Sequence, residues 1–236
     1  HIGDKEQIDN IRRILDKIEI VLNRHIVQYT DFMDPCERKL ARTVLDQFVD
    51  ISYKEFGGIL ESERKILSVY PDYCGSDDIS FPISALEAKG NITGLSHRDF
   101  LGGILGLGIN REKIGDILIH EGYIQIVLKD EIFDFVLLNY NKAGRKKLYI
   151  EEIPLNDLTQ GNVDYRDISV IIPSLRLDVL ISNGLNLSRR EGQKLIENRR
   201  VKVNWEPMDK VFREVEEGDI VSVKGYGRFI FHAIDG

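Results

Sequence analysis

The sequence predicts an α+β protein made of three successive parts. Three observations carry this prediction. An apolar stripe with helical spacing opens the chain; alternating and helical stretches then follow in β-α-β-β-α-β order; and two short helices followed by short strands close it. At 236 residues, 42% hydrophobic and 30% charged, the chain can build more than one core, and its 6 Pro and 20 Gly exclude a collagen-like, rod-like or wholly disordered chain.

Ile8, Ile11, Leu15, Ile18, Leu22 and Ile26 recur every three or four residues, which predicts a helix over residues 5–28 with one buried stripe. Asp34 as N-cap and Pro35 at the first helical position predict a second helix that turns Leu40, Val44, Leu45 and Phe48 inward. Residues 51–56 and 65–70 around Gly57-Gly58 read as a hairpin, with a helix over 61–67 as the other reading. Residues 1–74 thus form an N-terminal helical and hairpin region. The turn formers and acids of residues 71–78 mark a linker.

The second part is residues 75–160. Ile79, Phe81, Ile83 and Ala85 alternate as a strand, and Ser96 caps a helix that runs to Gly108. Strands at 114–119 and 123–128 flank a tight turn at His120-Glu121-Gly122, and a helix over 130–140 and a strand over 147–151 complete the order. This is the ferredoxin-like, or RRM-like, topology. Strand 123–128, Tyr123-Ile-Gln-Ile-Val-Leu, does not match the aromatic motif with which that fold stacks bases, so stacking on this sheet is not expected. Residues 161–173 are expected to be a linker carrying one strand, 168–172, ended by Pro173.

Residues 174–236 make a small unit of their own. Leu177, Leu180 and Ile181 define one helical face ending at Gly184. Ser188 with Glu191 three residues later is a capping box for a helix running to Glu197, and Val201 to Val203 and residues 219–223 supply strands with a turn at Glu217-Gly218.

Composition narrows the function. The formal net charge of -7 argues against a protein that coats nucleic acid indiscriminately, but residues 174–204 hold seven basic residues (Arg176, Arg189, Arg190, Lys194, Arg199, Arg200, Lys202) against only Asp178, Glu191 and Glu197. On a helical projection Arg189, Arg190, Gln193, Lys194, Glu197 and Arg200 share a face opposite Gly192, Leu195 and Ile196. Ser188 marks a helix start whose N–H groups suit phosphate, and Lys202 and Asn204, alternating with Val201 and Val203, extend the surface. Two readings fit these residues: a phosphate-binding face, or an ordinary solvated helix face.

Other signals point nowhere specific. Cys36 and Cys74 lack the spacing of a disulfide framework or a zinc site, no apolar run reaches the length of a membrane span, and no leader pattern opens the chain, so a cytoplasmic protein without metal or cofactor is expected. The glycines from Gly102 to Gly108 lie in or at the end of a helix, not between a strand and a helix start, which excludes a dinucleotide loop. His97-Arg98-Asp99 lacks the downstream Asn and the Gly-rich loop of a kinase.

Four ordered segments then stand out: Ser174-Leu-Arg-Leu-Asp-Val-Leu, Leu187-Ser-Arg-Arg-Glu-Gly-Gln-Lys-Leu-Ile-Glu, Arg200-Val-Lys-Val-Asn and Val215-Glu-Glu-Gly-Asp-Ile-Val-Ser-Val. Together they resemble the S-four-type, or alpha-L, RNA-binding domain shared by a small-subunit ribosomal protein, pseudouridine synthases and tyrosyl-tRNA synthetases. The resemblance implies that Arg176, Ser188, Arg189, Arg190, Lys194, Arg200 and Lys202 meet structured RNA. Many members carry Gly after the strand-ending Asn, where Trp205 stands here.

Tyr70-Pro-Asp-Tyr, His97-Arg-Asp-Phe-Leu-Gly, Gly106-Leu-Gly-Ile-Asn-Arg-Glu-Lys-Ile-Gly-Asp-Ile, Glu151-Glu-Ile-Pro-Leu and Val203-Asn-Trp resemble the bacterial YlmH family over nearly the whole chain. That resemblance implies a non-enzymatic RNA-binding protein of Gram-positive bacteria on the large ribosomal subunit, acting on stalled subunits that carry peptidyl-tRNA and linked to cell division. Its partners would be rRNA and tRNA, with no membrane and no small-molecule substrate; Arg111 and Lys113, beside the turn at Asn110, read as a second RNA contact consistent with that resemblance or as solvated loop charges. The rival readings are an RNA-modifying enzyme of the pseudouridine synthase or methyltransferase type, suggested by the letters Arg176-Leu177-Asp178, and a protein adaptor in division.

Overall fold

The computed structural model describes residues 5–162 and 167–232, and the chain divides into two units, residues 1–163 and 164–236. In the first unit α1 (Lys5–Arg24) and α2 (Pro35–Leu45) pack on a three-stranded sheet of β1 (Gln28–Tyr29), β2 (Ile51–Phe56) and β3 (Ile66–Pro71), ordered β1-β3-β2. α2 starts where the sequence places it: the Asp34 carboxylate accepts from the Glu37 N–H at 2.9 Å and the Glu37 carboxylate accepts from the Asp34 N–H at 2.7 Å. β3 is buried along its whole length, because Leu67 and Val69 face the two helices while Ile66 faces the next layer. That explains its near-continuous apolar run.

The second layer is an antiparallel sheet of β4 (Ile83–Gly90), β5 (Ile114–Ile119), β6 (Tyr123–Lys129), β7 (Lys142–Ala143) and β8 (Lys146–Ile153), in the order β5-β6-β4-β8-β7. With α3 (His97–Leu105) and α4 (Asp130–Asn139), these elements give the βαββαβ order and the strand arrangement of the ferredoxin-like fold, extended by β7. Leu86, Ala88, Ile124, Ile126 and Leu128 face α3 and α4, and their alternates Ala85 and Val127 pack against Phe32 and Ile66. The sheet face on which an RRM stacks bases is therefore covered here by the N-terminal elements. Residues 1–163 accordingly pack as one unit, in the succession helices, sheet, sheet, helices.

Several expectations need correction. The first helix stops at Arg24, where His25 takes a φ of 56°, and the next residues go to the sheet as β1. Its buried stripe is Ile14, Ile18 and Val21, whereas Ile8, Leu15, Leu22 and Ile26 are exposed, because apolar residues occupy two sides of this helix and the sheet selects one. β4 begins at Ile83 and not at Ile79, since Pro82 has no N–H to give to a ladder. Residues 59–64 form turns and bends, not a helix, and Lys65 bridges to Met33. No strand forms over 168–172: Ile168 and Ile171 are exposed and pair with nothing among the described residues, and residues 163–166 of the same expected linker lie outside them.

The second unit comprises α5 (Leu177–Gly184), α6 (Arg189–Glu197), β9 (Val201–Val203), β10 (Glu206–Met208), β11 (Ile220–Val223) and β12 (Gly227–Ile230), with sheet order β10-β9-β11-β12. Leu177, Leu180 and Ile181 of α5 and Leu195 and Ile196 of α6 bury against Val201, Val203, Val221 and Val223 of the sheet. A two-layer unit results, with helices on one side and the other side of the sheet facing outward. β10 and β12 are each no longer than four residues and were not legible as strands.

Candidate nucleic-acid interface

The C-terminal unit is organised around one buried carboxylate. Asp178, in the first turn of α5, is fully buried and accepts two hydrogen bonds from Arg176, Nε to Oδ1 and Nη2 to Oδ2, both at 3.0 Å. Arg189 Nε and Gln193 Nε2 of α6 add bonds to Oδ2 at 3.0 and 2.9 Å. Burial pushes the carboxyl pKa up, but the bonds from Arg176, Gln193 and Arg189 outweigh it and bring it down to about 2. The bidentate fork fixes Arg176 in orientation, and the exposed Phe212 ring stands 4.1 Å from its guanidinium carbon.

α5 and α6 can share this carboxylate because they cross closely. A Cβ on Gly192 would stand 2.6 Å from Ser182 Oγ and 3.2 Å from the Asp178 carbonyl oxygen, so only glycine fits the crossing. The start of α6 is the capping box that the sequence predicts: Ser188 N and Oγ both donate to the Glu191 carboxylate, at 2.9 and 2.7 Å. The Ser188 N–H and hydroxyl are thereby engaged with the protein's own Glu191 carboxylate.

The helical projection holds: Gly192, Leu195 and Ile196 are buried, and Arg189, Arg190 and Lys194 are exposed. Arg190 and Lys194, one helical turn apart, lie on one face of α6 beside Arg189, whose side chain is 58% exposed although its Nε is held by Asp178. Arg176, Arg189, Arg190 and Lys194 are thus gathered on the helical layer. Arg200 follows at the end of α6, with Nη2 donating to the Lys224 carbonyl at 3.3 Å.

Four expected contacts stand elsewhere. Lys202 alternates with the buried Val201 and Val203 and so projects from the side of the sheet away from the helices. Asn204 is structural: its Nδ2 donates to Asp219 Oδ1 at 2.6 Å, and its Oδ1 accepts from the Ile220 N–H at 2.9 Å. Arg111 and Lys113 belong to the first unit. The Arg111 guanidinium donates to the carbonyls of Ile114 at 2.5 Å and Gly115 at 3.3 Å, and burial draws its pKa down to about 10. Lys113 pairs with Asp31 at 2.7 Å and Glu131 at 2.6 Å. Both are engaged within the fold.

Sequence reasoning missed the central role of Asp178, and it missed Phe212. Only the acidic first turn of α5 after Arg176 hinted at the former. Among the described residues no cluster of three His, Cys, Asp or Glu could hold a metal ion, and no helix is long and apolar enough to cross a membrane.

A two-layer unit with a cationic, capped second helix, placed after a ferredoxin-like unit, defines an RNA-binding protein of the alpha-L class. Residues 175–221 match the S4 domain, residues 6–74 the family described as "YlmH, N-terminal" and residues 76–157 the one described as "Putative RNA-binding domain in YlmH". The chain is 31% identical over 234 residues to the Ribosome-associated protein quality control protein P2 of Bacillus subtilis (strain 168), covering 98% of this chain and 91% of that protein. The chain belongs to the YlmH family. The solved structure of Cell division protein ylmH from Streptococcus pneumoniae superposes with a TM-score of 0.59 at 24% identity, covering 66% of this chain and 96% of that one, which is a likeness of fold.

Proposed function

We propose that this chain is a non-enzymatic, cytoplasmic protein that docks on structured rRNA or tRNA of the large ribosomal subunit and serves the quality control of stalled ribosomes. The observation that carries the reading is the exposed Arg190–Lys194 pair on α6 beside Arg189, which Asp178 anchors. Fixed cations on a rigid helix neutralise phosphates without ordering a loop, and they read shape more than sequence. The match to the Bacillus subtilis quality-control protein over 98% of the chain supports the ribosomal setting. The three parts, residues 1–74, 75–160 and 174–236, are proposed as separate functional modules, of which the last makes the principal RNA contact.

RNA modification through Asp178 has no support in the geometry: the carboxylate is fully buried and every oxygen accepts from an arginine or glutamine. The division-linked role implied by the family resemblance is proposed alongside the ribosomal one, and partner capture that survives nuclease treatment would separate it from recruitment through RNA. Sedimentation of cell extract tests the main reading. The protein should travel with large-subunit fractions, and Arg190→Glu/Lys194→Glu should return it to the top of the gradient. An unchanged distribution of the variant would overturn the site.

A further inference from the structure

The turn between β9 and β10 carries a residue that its backbone does not favour. Val203 pairs with Glu206, so Asn204 and Trp205 are the two residues of a tight hairpin loop, with φ of 49° and 66°. Such a loop favours asparagine followed by glycine, and a bulky side chain in the left-handed region is strained. Asn204 suits its place and is bonded there. Trp205, bulky in the same left-handed region, calls for a reason of its own.

Its surroundings supply one. On the side of the sheet away from the helices, Pro207, Lys202, Ser222 and Arg228 are cross-strand neighbours in register. That row holds two cations, Lys202 and Arg228. Arg228 Nε donates to Ser222 Oγ at 3.1 Å, and its guanidinium carbon stands 5.3 Å from the Trp205 ring centroid. The indole is half-buried, and exposed Ile230 lies one register step further along the same side. An indole beside an arginine on an outward sheet face, with a second cation in the same row, is the arrangement that holds an unpaired nucleobase and its flanking phosphates.

We propose that this outward sheet face is a second RNA-contacting surface, in which Trp205 stacks on an unpaired base while Lys202 and Arg228 meet the adjoining phosphates. The proposal rests on the RNA-binding reading above but uses the opposite side of the unit from α6. Two contacts on opposite layers suit an RNA that folds around the module or two strands that meet at it.

Trp205 is the single tryptophan of the chain, so its fluorescence reports on this site alone. The full chain is titrated with a hairpin RNA whose loop holds unpaired adenosines, and binding is followed in parallel by anisotropy of the labelled RNA. Saturation should quench the tryptophan, Trp205→Gly should weaken binding roughly tenfold, and Trp205→Phe should retain most of it. Trp205→Gly should melt no lower than the parent, because glycine is the residue this turn favours. Unchanged fluorescence at saturation, or Trp205→Gly binding like the parent, would overturn the proposal. If Arg190→Glu/Lys194→Glu weakens binding while Trp205→Gly does not, the α6 surface stands and this one falls; if the parent does not bind the hairpin, both fall.

Discussion

Arg189 Nε lies 3.0 Å from Oδ2 of Asp178, so a side chain that is 58% exposed is tethered to one that is fully buried. The tether joins α6 to α5 and converts a flexible surface arginine into a positioned one. It also divides the basic residues of the unit in two. Arg176 and Arg189 are structural and electrostatic at once, whereas Arg190 and Lys194 stand on the surface alone.

Removing the buried partner should therefore cost far more than removing an exposed one. Asp178→Asn leaves Arg176 and Arg189 around a neutral amide and should lower unfolding free energy by about 3 kcal/mol, the scale on which broken buried pairs are measured. Arg189→Ala leaves the Arg176 fork and the Gln193 bond intact and should cost about 1 kcal/mol. Urea denaturation of the three proteins checks the order, and equal losses would contradict the central role given to Asp178.

Acid should reveal the same carboxylate. Its native pKa is about 2 against an ordinary 3.8, so the unfolded chain takes up the proton first as pH falls. The stabilisation, on the order of 2 kcal/mol, is fully present above about pH 5 and is lost as pH drops through 4 towards 2. Denaturation midpoints at several pH values should fall across this window in the parent, and the fall should be shallower in Asp178→Asn.

These two predictions were only partly legible in the sequence, for a reason of distance along the chain. Capping boxes such as Asp34 with Glu37 and Ser188 with Glu191 join residues three apart, so the letters alone locate the helix starts. The βαββαβ order follows from periodicity in the same way. The Asp178 cluster draws partners from positions 189 and 193, and Lys113 finds Asp31 across 82 positions, which no local pattern encodes. Short strands such as β10 and β12 exist because a neighbour pairs with them, and the outward α1 residues Leu15 and Leu22 could not be told from the buried Ile14 and Ile18 before the sheet chose a side.

Arg190 and Lys194 should behave as phosphate ligands and nothing more. Arg190→Gln/Lys194→Gln should leave the melting temperature within a degree or so, since exposed side chains contribute little to stability. The slope of log affinity for a structured RNA against log salt should fall by roughly two, one for each lost phosphate contact. A slope identical to that of the parent would remove both residues from the interface.

Arg111 should give the opposite pattern. Its guanidinium serves the carbonyls of Ile114 and Gly115, the first of which also accepts from Arg64 Nε at 3.1 Å, so Arg111→Ala strands one acceptor and should cost about 1 kcal/mol of stability. RNA affinity of the folded variant should be unchanged, and a loss of affinity without loss of stability would restore the role that sequence resemblance gave this residue.

Gly192 sets the distance over which α6 reaches Asp178. Gly192→Ala gains intrinsic helix propensity, about 1 kcal/mol, yet its methyl group would stand 2.6 Å from Ser182 Oγ, a hydroxyl held by its own bond to the Asp178 carbonyl at 2.6 Å. Overpacking of this kind costs about 1–3 kcal/mol, so the net effect should be destabilising, and separation of the helices should lengthen the Arg189 and Gln193 bonds to Asp178. Ser182→Gly, which removes the obstructing hydroxymethyl group, should recover part of the loss when combined with Gly192→Ala. A double-mutant cycle by urea denaturation measures that recovery; strict additivity would show that the two residues do not meet across the helix crossing.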